Sequence, residues 1–202
     1  MRADRCLVPV LLAITSIAVA ASAQQPGTSA PKAEAPPANS TVNATAAILL
    51  DFRTRIDQYL TVRKKAAKDA PSLKETTEPA KIKAAEEGLA ATLRAARPNA
   101  QPGDIFTTDI QAAFRRLLAP ELKGREGAHA KEVLKDDAPN SVPLKVNAKY
   151  PEGKPFPTVP SNLLLNLPTL PPEVEYRIVG KHLILRDTGA DLIVDFIPNA
   201  IP

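Results

Sequence analysis

The chain has 202 residues, 26 of them basic and 22 acidic, with a single Cys, a single Met, 21 Pro and 4% aromatic residues. That length allows one domain or two small ones. A net charge of +4 is too mild to mark a nucleic-acid binder, and so few aromatic rings argue against platforms that stack on sugars or single-stranded bases.

The first segment reads as an export signal. Arg2 and Arg5 precede an apolar run from Cys6 to Ala20, and Ala21-Ser22-Ala23 supplies small residues for cleavage. A membrane-spanning helix needs about 20 apolar residues, more than this run offers, so the expectation is a signal peptide over 1–23 and no transmembrane anchor after its removal. Arg5 directly before Cys6 does not fit a lipoprotein signal. Cleavage removes the only Cys and the only Met, which would leave the mature chain without thiol nucleophiles, disulfides or thiolate metal sites. It also removes Arg2, Arg5 and Asp4, leaving 24 basic and 21 acidic residues, a net charge of +3. The expected location is exported, periplasmic or extracellular, in a bacterium.

Residues 24–43 are Pro-, Ala-, Ser- and Asn-rich with Val42 as the one long apolar side chain. Such a segment buries too little surface to offset its ordering entropy, so a disordered linker is expected. Residues 44–137 read as helical. Ile48, Leu49, Phe52, Ile56, Tyr59 and Leu60 form one stripe of a helix over about 45–68, with Asp51/Arg55 and Arg53/Asp57 as i,i+4 pairs on its wet side. Its end, "RKKAAK" at 63–68, suits the negative pole of a helix as solvated cations, or alternatively forms a docking patch for an acidic polymer. Thr76-Thr77-Glu78-Pro79 opens a second helix with a hydroxyl cap and an early proline. Ile82, Ala85, Leu89, Leu93 and Ala96 are its expected inner stripe, and Gly88 within it costs about 1 kcal/mol against alanine, so packing must hold this helix. Thr107 or Thr108 caps a third helix with Ile110, Ala113, Phe114, Leu117 and Leu118 inward, ended by Pro120. A weaker fourth segment runs over 128–136 with Val133 and Leu134.

Residues 138–173 hold nine prolines, which preclude long helices. Short extended pieces are expected at Leu144–Val146 and Leu163–Leu167. Residues 174–202 are the clearest β signal. Gly180-Lys181 suits a two-residue turn and Asp187-Thr188-Gly189 a three-residue turn with Gly189 at positive φ. Counting back pairs Val179 with His182 and Glu175 with Arg186, then Arg186 with Ala190 and Ile184 with Leu192. One face then carries Tyr176, Ile178, Leu183, Leu185 and Ile193, the other Val179, Ile184, Leu192 and Val194. At least one face should pack on the helices and the other lie partly under the proline-rich segment. The fold class is therefore α+β: an N-terminal three- or four-helix part plus a C-terminal three-stranded antiparallel meander.

The stretches "RKKAAKDAPSLKETTEPAKIKA", "LRAARPNAQPGDIFT" and "VPSNLLLNLPTLPPEVEYRIVGKHLILRDTGADLIVDFIPNAIP" resemble an uncharacterised family of exported bacterial proteins, over most of the chain after residue 44. The resemblance brings no function with it. The tail also resembles the terminal hairpin of small periplasmic proteins, some linked to metal homeostasis, which carry an aromatic residue near the position of Arg177; that likeness implies a hairpin module rather than a reaction.

The chemical candidates are few. Asp187-Thr188-Gly189-Ala190 spells the motif of retropepsin-like aspartic proteases, in which two aspartates share a proton. Arg186 stands where that motif wants an apolar residue and would favour an ionised Asp187. Only 15 residues follow, too few for a flap, so a turn is the reading. Asp187, Asp191 and Asp195 are spaced by four; in a strand Asp191 and Asp195 lie about 13 Å apart, too far for one metal, and are expected as edge or solvent-facing acids. His129 and His182 lack ligand-spaced neighbours. No catalytic, cofactor-binding or metal-binding residue is assigned and no cofactor is expected. The surface candidates are Arg177, His182, Arg186, Asp187, Asp191 and Asp195. The favoured reading is a non-catalytic binding or structural module of the cell envelope, its partner an envelope protein or an anionic envelope polymer. The alternative is a hydrolase or other enzyme using Asp, Glu and His in a helix–sheet cleft.

Overall fold

The computed structural model describes residues 38–71, 76–136, 144–150 and 159–202. The predicted signal peptide, residues 24–37 of the predicted linker, and residues 138–143 and 151–158 of the proline-rich segment lie outside the described residues, as do the side chains of Val133 and Leu134. The elements are α1 (Ala38–Asp69), α2 (Pro79–Ala96), α3 (Thr108–Leu118), a 3-10 turn (Pro120–Leu122), α4 (Gly124–Asp136), α5 (Ser161–Leu165), β1 (Val174–Val179), β2 (His182–Asp187) and β3 (Leu192–Ile197). The α+β class stands, with more helix than expected. Helix α1 begins at Ala38, inside the segment read as a linker.

The stripe of α1 buries Phe52, Ile56 and Tyr59, with Ile48, Leu49 and Leu60 packed beside them. The rings of Phe52, Phe106 and Phe114 pack at centroid distances of 4.9–5.7 Å, and Tyr176 of β1 meets Phe114 at 6.0 Å. This aromatic cluster joins α1 and α3 to the sheet. Helix α3 starts as expected, with the Thr107 hydroxyl accepting from the Ile110 N–H. Helix α2 does so in part: Pro79 opens it as expected, but its N-cap is Glu78, with no side-chain cap. Its expected stripe holds in the second half, where Leu93 is buried and Leu89 packs beside it together with Ala90, while Ile82 is 43% exposed. Gly88 has a packing reason, since a Cβ there would stand 2.5 Å from Cδ of Pro71.

Leu163–Leu167 is a correction. A strand would bury Leu163, Leu165 and Leu167 together; instead Leu163 and Leu167 are buried and Leu165 is 84% exposed. That is the i,i+4 pattern of a helical turn, and α5 occupies the segment. Leu144–Val146 leads into a turn with Asn147 at φ 63°. The Asn147 N–H donates to the Ile193 carbonyl and the Ile193 N–H to the Ala148 carbonyl. The 144–150 segment thereby covers the outer edge of β3, where bare backbone groups would otherwise invite pairing.

The sheet order is β1-β2-β3, antiparallel. The first hairpin has the expected register, Val179 with His182 through Glu175 with Arg186, with Gly180 at φ 58°. The second does not. Asp187 pairs with Leu192, so four residues, Thr188–Asp191, make the turn, and a bulge between Leu185 and Arg186 shifts the register. The left-handed residue is Asp191, at φ 50°, rather than Gly189. Arg186 thus meets Ile193 in place of Ala190, a shift of three residues, and an odd shift exchanges the faces. Val194 joins Ile178, Leu183 and Leu185 against the helices. Ile193 joins Val179 and Ile184 under Tyr150 and Leu144, so the 144–150 part of the proline-rich segment covers the second face. Leu192 and Ala190 meet Ala66, Ala90 and Leu93.

Candidate functional site

Tyr59 and Arg63 are four apart on α1 and share a helix face, where they meet the end of β2. Asp187 is fully buried there, which corrects its placement at the surface. Its Oδ2 accepts from the Tyr59 hydroxyl at 2.7 Å and from Arg63 Nε at 2.6 Å, while Arg63 Nη2 reaches Oδ1 at 3.4 Å. Oδ1 also accepts from the Gly189 and Ala190 N–H groups at 2.9 and 2.8 Å, an aspartate-closed turn. Burial pushes the Tyr59 hydroxyl well above its ordinary pKa, and the charge and hydrogen bond of Asp187 push it the same way; Arg97 and Arg63 oppose without prevailing. Arg97 lies 5.1 Å over the Tyr59 ring. A proton-sharing aspartyl pair needs a second carboxylate at this position. Asp187 has a guanidinium instead, so the "DTGA" motif serves the fold.

Asp195 is the second fully buried acid and the second correction to the surface reading. Its Oδ2 accepts from the Ile105 and Phe106 N–H groups at 2.8 Å each, and Oδ1 from those of Gly103 at 3.0 Å and Phe196 at 2.8 Å. Three of these donors belong to the loop that leads into α3. Successive backbone N–H groups converging on one carboxylate form an anion nest, here filled by the chain itself.

Arg186 forms ion pairs with Asp191 and Glu175. Its Nε meets Asp191 at 2.6 Å and its Nη1 meets Glu175 at 2.7 Å, and Arg177 grips the same Glu175 through two bonds of 2.8 and 2.9 Å. The result is a half-buried ladder, Arg177–Glu175–Arg186–Asp191, across the strands. Burial alone would raise the Glu175 pKa; hydrogen bonds from Arg177 and Arg186 outweigh it and hold the carboxyl below its ordinary range. Burial would lower Arg186, and its bonds to Asp191 and Glu175 reverse that. His182 stands apart from the ladder. Its Nδ1 accepts from the Asn199 N–H at 3.3 Å, and burial lowers its pKa.

The six candidates therefore fall into four places rather than one site. Arg177, Arg186 and Asp191 converge; Asp187, Asp195 and His182 are separate. Sequence reasoning missed Tyr59, Arg63 and Arg97 as polar partners, because Tyr59 counted only as core and Arg63 only as part of a solvated helix end. The available signal was an arginine one turn beyond a buried tyrosine on the same stripe. Arg97 also holds the 144–150 segment, donating to Asn147 Oδ1 and to the Val194 carbonyl while Asn147 Nδ2 donates back to the Arg97 carbonyl.

Among the described residues no buried side-chain nitrogen or oxygen lacks a partner, no group of three or more His, Cys, Asp or Glu is placed to hold a metal, and no helix is long and apolar enough to cross a membrane. Two surface features stand out. An apolar groove of about 600 Å³ lies between α1 and residues 166–171, and a cleft of about 310 Å³ is lined by Arg115, Lys123 and Lys131. No protein-family model matches this chain, and no significant match to a curated protein or a solved structure was found.

Proposed function

We propose that this chain is an exported, non-catalytic module of the bacterial cell envelope that binds an anionic envelope polymer. The observation that carries the reading is the contrast between its acids and its cations. Asp187 and Asp195, the two fully buried acids among the described residues, have their oxygens taken up by donors of the same chain, and neither faces a cleft as a general acid or base must. Arg115, Lys123 and Lys131, in contrast, surround an open cleft with no Asp or Glu side chain among its described lining residues. Like charges gathered around a concavity attract polyanions and hold them in a salt-dependent way. The export pattern of residues 1–23 supports the envelope as the place where this happens.

Envelope fractionation with crosslinking tests the location and the partner. The expected result is retention with the envelope and release by salt. In solution, the full chain should bind polyglutamate, and Lys123→Glu with Lys131→Glu should abolish that binding. A freely diffusing protein that crosslinks to nothing, or one whose polyglutamate binding ignores both substitutions, would sink the reading. Crosslinking to an envelope protein alone would replace the polymer as partner.

A further inference from the structure

The groove beside α1 is apolar along its floor and walls, with Phe52, Ile56, Leu167 and Leu170 among its lining residues. Leu50, which also lines it, is 65% exposed and carries the apolar lining out to the surface as one contiguous patch. Two charged residues line the same groove, Arg53 and Asp57, both exposed. Their i,i+4 spacing would let them pair on the helix, and the sequence predicts that they do. The neighbouring Asp51–Arg55 pair does close, at 3.0 Å, but among the described residues no ion pair joins Arg53 to Asp57. The groove thus presents one open cation and one open anion, a helical turn apart, beside an exposed leucine.

That set is self-complementary. We propose that the groove is closed by a second copy of this chain, with the two α1 helices antiparallel about a twofold axis. In such an interface residue i meets j and j meets i. Placing Arg53 opposite the partner's Asp57 puts the axis midway between them along the helix. The same register sets Leu50 against the partner's Leu60 and generates two ion pairs and two leucine contacts from one sequence. Leu60 is itself only partly buried at the edge of the core. Helix α1 has 32 residues and extends about 48 Å at 1.5 Å per residue, long enough to carry such a contact over several turns. A ligand of a single charge sign would leave either Arg53 or Asp57 facing its own sign, whereas a second copy satisfies both. This inference does not depend on where the protein resides or on the polyanion it binds.

The test is the molar mass of the full chain in solution by light scattering and sedimentation, with three variants. The unaltered chain should show twice the 21.6 kDa of one copy. Arg53→Asp alone and Asp57→Arg alone should each be monomeric, with the dissociation constant raised at least about tenfold, since like charges now face each other across the axis. An equimolar mixture of these two variants should recover a dimer, because one copy then carries two anions and the other two cations. A role for the two residues within their own helix cannot produce that recovery. Leu50→Glu should also be monomeric with unchanged circular dichroism; if it misfolds, the charge variants, which alter exposed positions, still decide. A monomeric unaltered chain, single variants that remain dimeric, or a mixture that stays monomeric would each overturn the proposal.

Discussion

Replacing Asp187 by Ala should destabilise the protein more than any surface substitution. The change removes the acceptor for Tyr59 and Arg63 and for the N–H groups of Gly189 and Ala190. The Tyr59 hydroxyl and the Ala190 N–H would remain buried without partners, and Arg63, whose side chain is 18% exposed, would keep a half-desolvated charge. Breaking a buried ion pair from one side costs about 3–5 kcal/mol. The residual exposure of Arg63 favours the lower end, about 3 kcal/mol. With a urea slope of about 2 kcal/mol/M, the unfolding midpoint should fall by about 1.5 M at unchanged slope. Asp187→Asn keeps the shape and an acceptor for the turn but sets an amide donor against Arg63, so its loss should be smaller, about 2 kcal/mol. A cycle with Arg63→Met should then show a coupling of about 1–3 kcal/mol, because the double variant no longer strands a charge. The measurement is urea unfolding followed by circular dichroism. A midpoint shift below about 0.5 M for Asp187→Ala, or no coupling in the cycle, would refute the view that Asp187 ties α1 to the sheet.

Four further outcomes follow from the same geometry. Asp195→Asn should cost about 3 kcal/mol in the same assay, since an amide cannot accept on both sides from Gly103, Ile105, Phe106 and Phe196. Gly88→Ala should destabilise, although helix propensity alone predicts a gain of about 1 kcal/mol, because its Cβ would overlap Pro71; a raised melting temperature would contradict the packing. Gly189→Val should destabilise by about 1 kcal/mol through side-chain crowding of Arg63 Nη2 and Leu89, which a Cβ would approach to 2.7 and 3.4 Å, and not through backbone strain; Gly189→Ala should cost less, because the end of the Arg63 side chain can move aside. The folded-state pKa of His182 lies below its ordinary 6.5, so the unfolded chain binds the proton first. The stability His182 supports is complete above pH 6.5 and declines as the pH falls through the lower folded value. A pH series of melting temperatures should show that decline flattened in His182→Gln, and an unchanged profile would remove His182 as its source.

How far the sequence could be read depended on whether a turn announced itself. Gly180-Lys181 gave the first hairpin its register because a two-residue turn leaves no freedom in the pairing. Asp187-Thr188-Gly189 looked like a shorter turn than it is. The residue at positive φ is Asp191, held by Arg186 across the strands; the longer turn pairs Arg186 with Ile193 and moves Ile193 to the face opposite the expected one, and the bulge that follows leaves Val194 on the helix side. Local composition does not encode that bulge; it depends on contacts to distant segments. The Asn147 turn bonded to Ile193 is one, and the Gly103–Phe106 loop bonded to Asp195 is another. The helices were more legible. The periodic stripes of α1 and α3 were correct, and that of α2, short of long apolar residues, held only in its second half, where Leu89 and Leu93 pack.

The misjudged acids share one physical cause. An aspartate inside an apolar strand is expected to face solvent, because burying its charge alone is prohibitive. Asp187 and Asp195 escape that cost because donors reach them across long sequence separations: Tyr59 and Arg63 from α1, and three backbone N–H groups from the loop before α3. Each carboxylate therefore joins a helical element to a different strand, one to the end of β2 and the other to β3. In a chain with a single cysteine, which cannot form a disulfide within itself, two such ties fix the helices against the sheet with a directionality that apolar packing does not supply. The burial that makes them costly to remove also keeps them from acting on anything outside the fold. On the two proposals made above, the groups that meet partners are the open ones: the cations around Lys123, and Arg53 and Asp57 beside Leu50, which form no ion pair with each other.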